Sequence, residues 1–275
     1  MTYDPLVEAV LKRRRILVTG AGREISAALA VRLHGHGAQV ALLGWQADAL
    51  AETSAQCGGA PFRVVDLTDH RDVDAGVTAM AEELGGFDVL VANGGVNVEQ
   101  PIVGGDPAAM EHLMRVNVLG TYYTLRAGAP YVSHPQGYAL VMSSFAAVVQ
   151  LPNLGGYSAS RAAMEALGNT LRAEIRPSGA KVGVAYLVET DNQLLHQHWS
   201  ASAARRLRRR HPDRVEDKWN EALDAIERGI AHRRRRVVAP SWAAPLLPLR
   251  MSVQRIAEQK AQRLPRRRPA SSTRG

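Results

Sequence analysis

One cysteine, Cys57, serves all 275 residues. An internal disulfide is therefore impossible, and a reducing compartment is expected. No stretch reaches the roughly 18 apolar residues of a membrane-spanning helix. No long apolar run follows the first charges, so no signal peptide is expected. These absences point to a cytoplasmic protein. Lysine is scarce, with four among 34 cationic residues. Aromatic residues make up 5% and form no base-stacking platform, and no recognition motif is seen, so nucleic acid is not an expected partner. His196, His198 and Trp199 have no cysteine or acidic cluster at ligand spacing, so no metal site is expected. No internal repeat breaks the chain into smaller units.

What is present is a 46% apolar content, enough for a sizeable core in one large domain or one domain with an extension. The charge is uneven. Residues 201–275 carry 20 Lys plus Arg against 7 Asp plus Glu, a net +13. The first 200 carry 14 against 19, a net −5, so the overall +8 belongs to the C-terminal quarter.

Short apolar runs alternate with helical patterns along the chain. Strands are expected at 16–19, 39–43, 62–65, 88–92, 138–142 and 181–187, with a short last one at 237–239. Helices are expected at 25–33, 47–56, 73–84, 108–132, from Tyr157 onward, and at 216–228. Several strands are apolar on both faces. This predicts an α/β fold, a Rossmann-like doubly wound parallel sheet with helices on both faces. A leader helix is expected at 1–14 and the main domain at 15–240. A basic helical extension fills 241–275, with a helix at 252–264 and a disordered tail from Pro265.

The stretch 140–161 organises the rest. An apolar strand ends in two serines, and Tyr157 opens a helix 13 residues after Ser144. Arg161 lies one turn further on the same face, where it can set its charge beside the Tyr157 hydroxyl. A nearby cation favours phenolate and suits acid/base work near neutral pH. Alone, the same residues read equally as a buried tyrosine and an exposed helix arginine.

This stretch resembles the short-chain dehydrogenase/reductase family, in which a strand ends in a catalytic serine and a Tyr-x-x-x-Lys helix follows. Tyr157-Ser-Ala-Ser-Arg161 matches except that arginine stands for lysine. The resemblance implies Ser144, Tyr157 and Arg161 as catalytic residues. It adds Asn117, from Asn117-Val-Leu-Gly120, as support for a proton-relay water.

The same resemblance implies a nicotinamide dinucleotide. A strand, a glycine turn and a helix form a pyrophosphate site, and 19–26 resembles the family's Thr-Gly-x-x-x-Gly-x-Gly loop. Gly20 is kept, while Glu24 and Ser26 replace the other two glycines. Gly22, Arg23 and Ile25 complete the implied contacts of the turn. Ser26 can offer its hydroxyl to a phosphate, whereas Glu24 adds charge beside a dianion. Asp66 and Leu67 resemble the adenine contact after the third strand, although Asp66 reads equally as a helix N-cap. Asn93 and Gly94 belong to a run resembling Asn-Asn-Ala-Gly. At the far end the family's Pro-Gly pair is replaced by Leu187-Val188, while Asn192 can still meet the carboxamide, and the resemblance implies a substrate lid at about 192–230.

An NAD enzyme carries a carboxylate after the second strand, and this chain has Gly44-Trp45. NADP is therefore preferred over NAD, with Arg23 as a phosphate partner. The expected function is carbonyl–alcohol interconversion on a small substrate by a homodimer or homotetramer. The three departures, Glu24, Arg161 and Leu187-Val188, leave open a redox-silent member acting as a non-redox enzyme or a binding protein. The apolar segment 241–251, between basic stretches, either packs on protein or makes peripheral contact with an anionic membrane.

Overall fold

The protein, seen in a computed structural model, is described over residues 5–188 and 213–255. Seven parallel strands form one sheet: β1 (Arg15–Thr19), β2 (Gln39–Gly44), β3 (Phe62–Val64), β4 (Val89–Ala92), β5 (Tyr138–Ser144), β6 (Lys181–Leu187) and β7 (Arg236–Ala239). Their spatial order is β3-β2-β1-β4-β5-β6-β7. The chain winds outward from β1 to one edge, returns to β4, and winds to the other edge. The carboxyl ends of β1 and β4 therefore flank the switch point, where doubly wound sheets bind ligands.

Helices cover both faces. On one side pack α1 (Pro5–Leu11), α2 (Glu24–Gly35), α3 (Ala47–Gln56) and a late helix, Asp213–Ala231. On the other pack α4 (His70–Leu84), α5 (Pro107–Met114), α6 (Gly120–Val132) and α7 (Gly155–Glu174). We number the late helix α8. The inner strands are buried on both faces because each side chain, up or down, meets a helix layer. Edge strand β3 is exposed throughout.

Local chemistry sets the helix ends. Asp69 caps α4 by accepting from the Arg71 N–H at 2.9 Å, and Gly85 ends it in the left-handed region at φ 65°. Asp106 caps α5, with Pro107 behind it. Asp88, expected to start β4, lies just before it and binds the Arg15 guanidinium at 2.8 Å.

The expected helix 108–132 is not continuous. A π-helical turn, Arg115–Leu119, separates α5 from α6. Such turns insert a residue and occur often at functional sites. This one turns Asn117 wholly inside. The tyrosine helix also begins at Gly155, two residues before Tyr157.

The ends are tied to the body. Val7 and Leu11 of α1 sink into the core. Arg32 of α2 reaches α8, donating from Nε to Glu227 at 2.7 Å and from Nη2 to Asp224. After β7, a 3-10 turn at Ser241–Leu246 leads to buried Leu247. Residues 250–255 are helical. Gln254 there accepts from the Gln150 N–H at 2.8 Å, and Arg250 binds Glu165 of α7 at 3.0 Å. The basic end thus reaches back to the loop after β5. Of the lid expected at about 192–230, residues 192–212 lie outside the described residues, as does the tail from 256; the remainder is α8, whose Ala222, Leu223, Ile226 and Ile230 are buried in the core.

Candidate active site

The site grows from the carboxyl ends of β1, β4 and β5. At β5, Ser143 and Ser144 take different roles. Ser143 is buried and donates to the Arg161 carbonyl of α7 at 2.9 Å. Ser144 is partly exposed, donates to the Leu187 carbonyl at a long 3.4 Å, and accepts from the Ala146 N–H at 3.1 Å. Its hydroxyl proton is thus weakly held and open to exchange for a better acceptor.

Tyr157 lies on the first turn of α7, half-buried. Arg161 sits one turn away, with its guanidinium against the tyrosine ring. The guanidinium carbon stands 4.7 Å from the centre of the Tyr157 ring, over its face. Nη1 donates to the Met142 carbonyl at 3.2 Å, turning the group toward the strand end. Unlike a lysine ammonium, a planar guanidinium can stack on an aromatic face in this way. Room for it comes from Gly95: a Cβ there would lie 2.7 Å from Arg161 Nη2 and 3.0 Å from Asn117 Oδ1. Arg161 is 8% exposed, and its buried Nε has no partner. No carboxylate among the described residues pairs with it.

Asn117 is fully committed. Its Oδ1 accepts from the Val96 N–H at 2.8 Å, and Nδ2 donates to the Val96 carbonyl and to Ser160 Oγ, both at 2.9 Å. Ser160 in turn donates to the Tyr157 carbonyl at 2.7 Å. A chain of bonds therefore runs from the loop after β4, through the π turn, to the backbone of Tyr157. Both amide protons are used, leaving only lone-pair capacity on Oδ1. In this geometry the side chain tethers the loop after β4 to the tyrosine helix.

The glycine turn after β1 is locked to the loop after β4. Thr19 Oγ1 donates to the Asn93 carbonyl at 2.8 Å and accepts from the Asn93 N–H at 3.0 Å. Gly20 has φ +67°, and a Cβ there would strike that carbonyl. Asn93 Nδ2 donates to Ser26 Oγ. Ser26 is 1% exposed, so its hydroxyl is bound to protein instead of offered to a phosphate. Serine replaces glycine here by becoming part of the lock.

The other expected contacts divide. Gly22 packs on α3, where a Cβ would lie 3.3 Å from that of Ala49. Ile25 has its side chain in the core, leaving only its backbone for a ligand. Gly94 lies under the Leu67 side chain, which also covers Gly120. Asp66 is exposed and is not the cap of α4, a role held by Asp69. One carboxylate oxygen of Asp66 accepts from Thr68 N–H and Oγ1, both at 2.8 Å. Arg23 is exposed at the N-cap of α2 and makes no side-chain capping bond, so no side-chain acceptor among the described ones meets the first N–H groups of α2. Trp45, beyond β2, is 64% exposed. Asn192, His196, His198 and Trp199 lie outside the described residues.

Ser143 and Ser160 escaped the sequence reading, and Gly95 entered it only as the last glycine of the run resembling Asn-Asn-Ala-Gly. Each is a small residue inside a run whose neighbours drew the interest, and only their spatial partners reveal them. A dinucleotide fits what is present. The bare start of α2 suits a pyrophosphate, and the unpartnered Nε of Arg161 suits hydroxyl or phosphate oxygens. Among the described residues, no group of three or more His, Cys, Asp or Glu could hold a metal ion.

The chain is 32% identical over 208 residues to a glycine betaine reductase of Emericella nidulans, covering 74% of this chain but only 16% of that protein. An uncharacterized oxidoreductase of Staphylococcus aureus is 29% identical over 176 residues, covering 63% of this chain and 76% of the relative. Among solved structures, an NAD+-bound xylitol dehydrogenase superposes with a TM-score of 0.63 at 27% identity. It covers 65% of this chain and 71% of its own. A short chain dehydrogenase from Mycobacterium smegmatis gives 0.62 at 26%, covering 65% and 78%. The family model described as short chain dehydrogenase matches residues 14–202. With the sheet order, the tyrosine helix and this match in agreement, the chain belongs to the short-chain dehydrogenase family.

Proposed function

We propose that the protein is an NAD(P)-dependent oxidoreductase, favouring NADP(H), that interconverts a carbonyl and an alcohol on a small organic substrate. The observation that carries this reading is the double tie between β5 and α7. Ser143 Oγ binds the Arg161 carbonyl, and Arg161 Nη1 binds the Met142 carbonyl. These bonds hold the tyrosine helix against the strand that ends in Ser144. A bound nicotinamide cofactor supplies or accepts the hydride. Tyr157 gives a proton to, or takes it from, the substrate oxygen. Ser144 turns its hydroxyl from the Leu187 carbonyl to that oxygen and orients it. Arg161 meets the ribose hydroxyls through its free Nε edge. Asn117 holds the loop after β4 and the backbone of Tyr157 in register, and its remaining lone pair is available to a relay water. The first N–H groups of α2 receive the pyrophosphate, with Asp66 and Leu67 at the adenine end.

Titrating the protein with NADPH and NADH tests this reading. Binding of either supports it, and no binding of both at millimolar levels overturns it. NADPH is expected to bind more tightly, because Gly44-Trp45 offers no carboxylate and Arg23 is exposed at the start of α2. Arg23→Ala should narrow the ratio, and an unchanged ratio would locate the discrimination elsewhere.

One observation favours a second reading, a redox-silent member acting as a non-redox enzyme or a binding protein. The Arg161 guanidinium is already engaged by the Tyr157 ring and the Met142 carbonyl. In a site adapted to arginine, Arg161→Lys leaves turnover alone or lowers it, by less than the ~100-fold that a misplacement of about 1 Å costs. In a decayed site, Arg161→Lys with Glu24→Gly tightens NADPH binding and raises carbonyl reduction. We expect the first outcome. A double variant that outperforms the wild type would establish the second.

We further propose a cytoplasmic homodimer or homotetramer. Leu119 and Tyr122, 41% and 46% exposed along the π turn and α6, support self-association. Among the described residues, no helix is long and apolar enough to cross a membrane.

A further inference from the structure

The sheet edge farthest from the glycine turn carries a feature that the redox chemistry does not use. Between α8 and β7 lies a cavity of about 120 Å³. Arg228 of α8 and Arg234 and Arg236 at the amino end of β7 line it. Glu221 and Ser241 close its other end. Glu221 is occupied, since its carboxylate accepts from the Ser241 N–H at 3.2 Å. None of the three arginines has a carboxylate partner among the described residues, although the same helix spends Asp224 and Glu227 on Arg32. The lining therefore carries three unneutralised guanidiniums against one engaged carboxylate.

The neighbourhood adds to the positive field. Arg172 binds the Val182 carbonyl nearby, and burial, followed by repulsion from Arg235, holds its guanidinium below the ordinary arginine range. Like charges gathered around one cavity repel unless an anion joins them. A strand edge studded with arginines also resists pairing with a copy of itself, since the two runs would face each other. The guanidinium fork matches phosphate oxygens two at a time. The volume holds about four waters, which suits one phosphate group and excludes a larger ligand from full burial.

We propose that this cavity is a binding site for a phosphate group, held by Arg228, Arg234 and Arg236 and separate from the dinucleotide loop after β1. The group belongs either to a soluble phosphate or to an anionic lipid headgroup, and Trp242, 65% exposed beside Ser241, reports which. The test uses the full chain and three ligands. Inorganic phosphate and pyrophosphate are titrated by calorimetry. Vesicles of phosphatidylglycerol in phosphatidylcholine are followed by co-sedimentation and tryptophan emission. Two double variants are compared, Arg228→Gln with Arg236→Gln in the cavity, and Arg63→Gln with Arg71→Gln on the opposite edge. All four side chains are at least partly exposed, so both proteins should fold, and melting curves check this.

The expected result is binding that the cavity pair weakens about tenfold or more, as loss of charge-assisted bonds requires, while the opposite pair leaves it near wild type. Binding of the soluble anions alone assigns a soluble phosphate. Vesicle binding with a blue-shifted Trp242 emission, lost in Trp242→Phe, assigns a headgroup. Three results overturn the site: no binding of any ligand, equal weakening by both pairs, or binding that survives in the cavity pair. The last would put the anion at the dinucleotide loop, so failure here leaves the redox reading untouched.

Discussion

Tyr157→Phe is expected to lower NADPH-dependent carbonyl reduction by about 100- to 10,000-fold, the range associated with removing a positioned acid/base. Cofactor affinity should stay near wild type. The geometry explains why these effects separate. Arg161 rests on the face of the Tyr157 ring, 4.7 Å from its centre, and phenylalanine keeps that face. Arg161 therefore keeps its bond to the Met142 carbonyl, and only the hydroxyl is lost. Tyr157→Ala removes ring and hydroxyl together, frees a buried guanidinium, and should weaken cofactor binding as well. Reduction of a panel of aldehydes and ketones, with NADPH titrations on each variant, measures both effects. Turnover retained by the phenylalanine protein would move the proton donor away from Tyr157.

The second large effect belongs to Asn117. Its side chain is fully buried and satisfies both main-chain groups of Val96 as well as Ser160. Alanine leaves the two Val96 groups without partners, while Ser160 keeps its bond to the Tyr157 carbonyl, at a cost of about 2–4 kcal/mol when each of the two groups loses ~1–2 kcal/mol. For a domain of this size, that is a fall of about 5–15 °C in melting temperature. The loop that carries Asn93, Gly94 and Gly95 should loosen, and NADPH affinity should fall with it. Differential scanning fluorimetry and the same titrations give the answer. A melting point within about 2 °C of wild type, with affinity unchanged, would show that the tether is dispensable.

These two residues differ in how much of their role was legible. Tyr157 was visible because its function depends on spacing along one helix. A period of 3.6 residues puts Arg161 on its face whatever else packs there. Where the arginine charge ends up was not visible, because that depends on Gly95 and Met142, far away in sequence. Asn117 drew attention by its place in a family-like run, but its commitment to Val96 and Ser160 follows from the π turn. The apolar pattern of 108–132 fits one long helix equally well, and an inserted residue leaves no mark in hydrophobic periodicity. Ser26 shows the same limit. A hydroxyl in a phosphate loop can face a ligand or a neighbour, and the answer is set by Asn93, 67 positions away.

The sequence by itself determined the alternation of strands and helices, and with it the parallel sheet. Both follow from local apolar runs that only a two-faced burial can satisfy. It also set the chemical inventory at the strand ends and the basic character of the last quarter. The tertiary structure alone decided which hydroxyls and amides are spent within the protein and which stay open to a ligand. Ser143, Ser26 and Asn117 are spent, while Ser144 and the start of α2 are open. It likewise decided that three arginines from α8 and β7 meet around one cavity. Such outcomes rest on partners distant in sequence, and no pattern read along the chain encodes the distance between them.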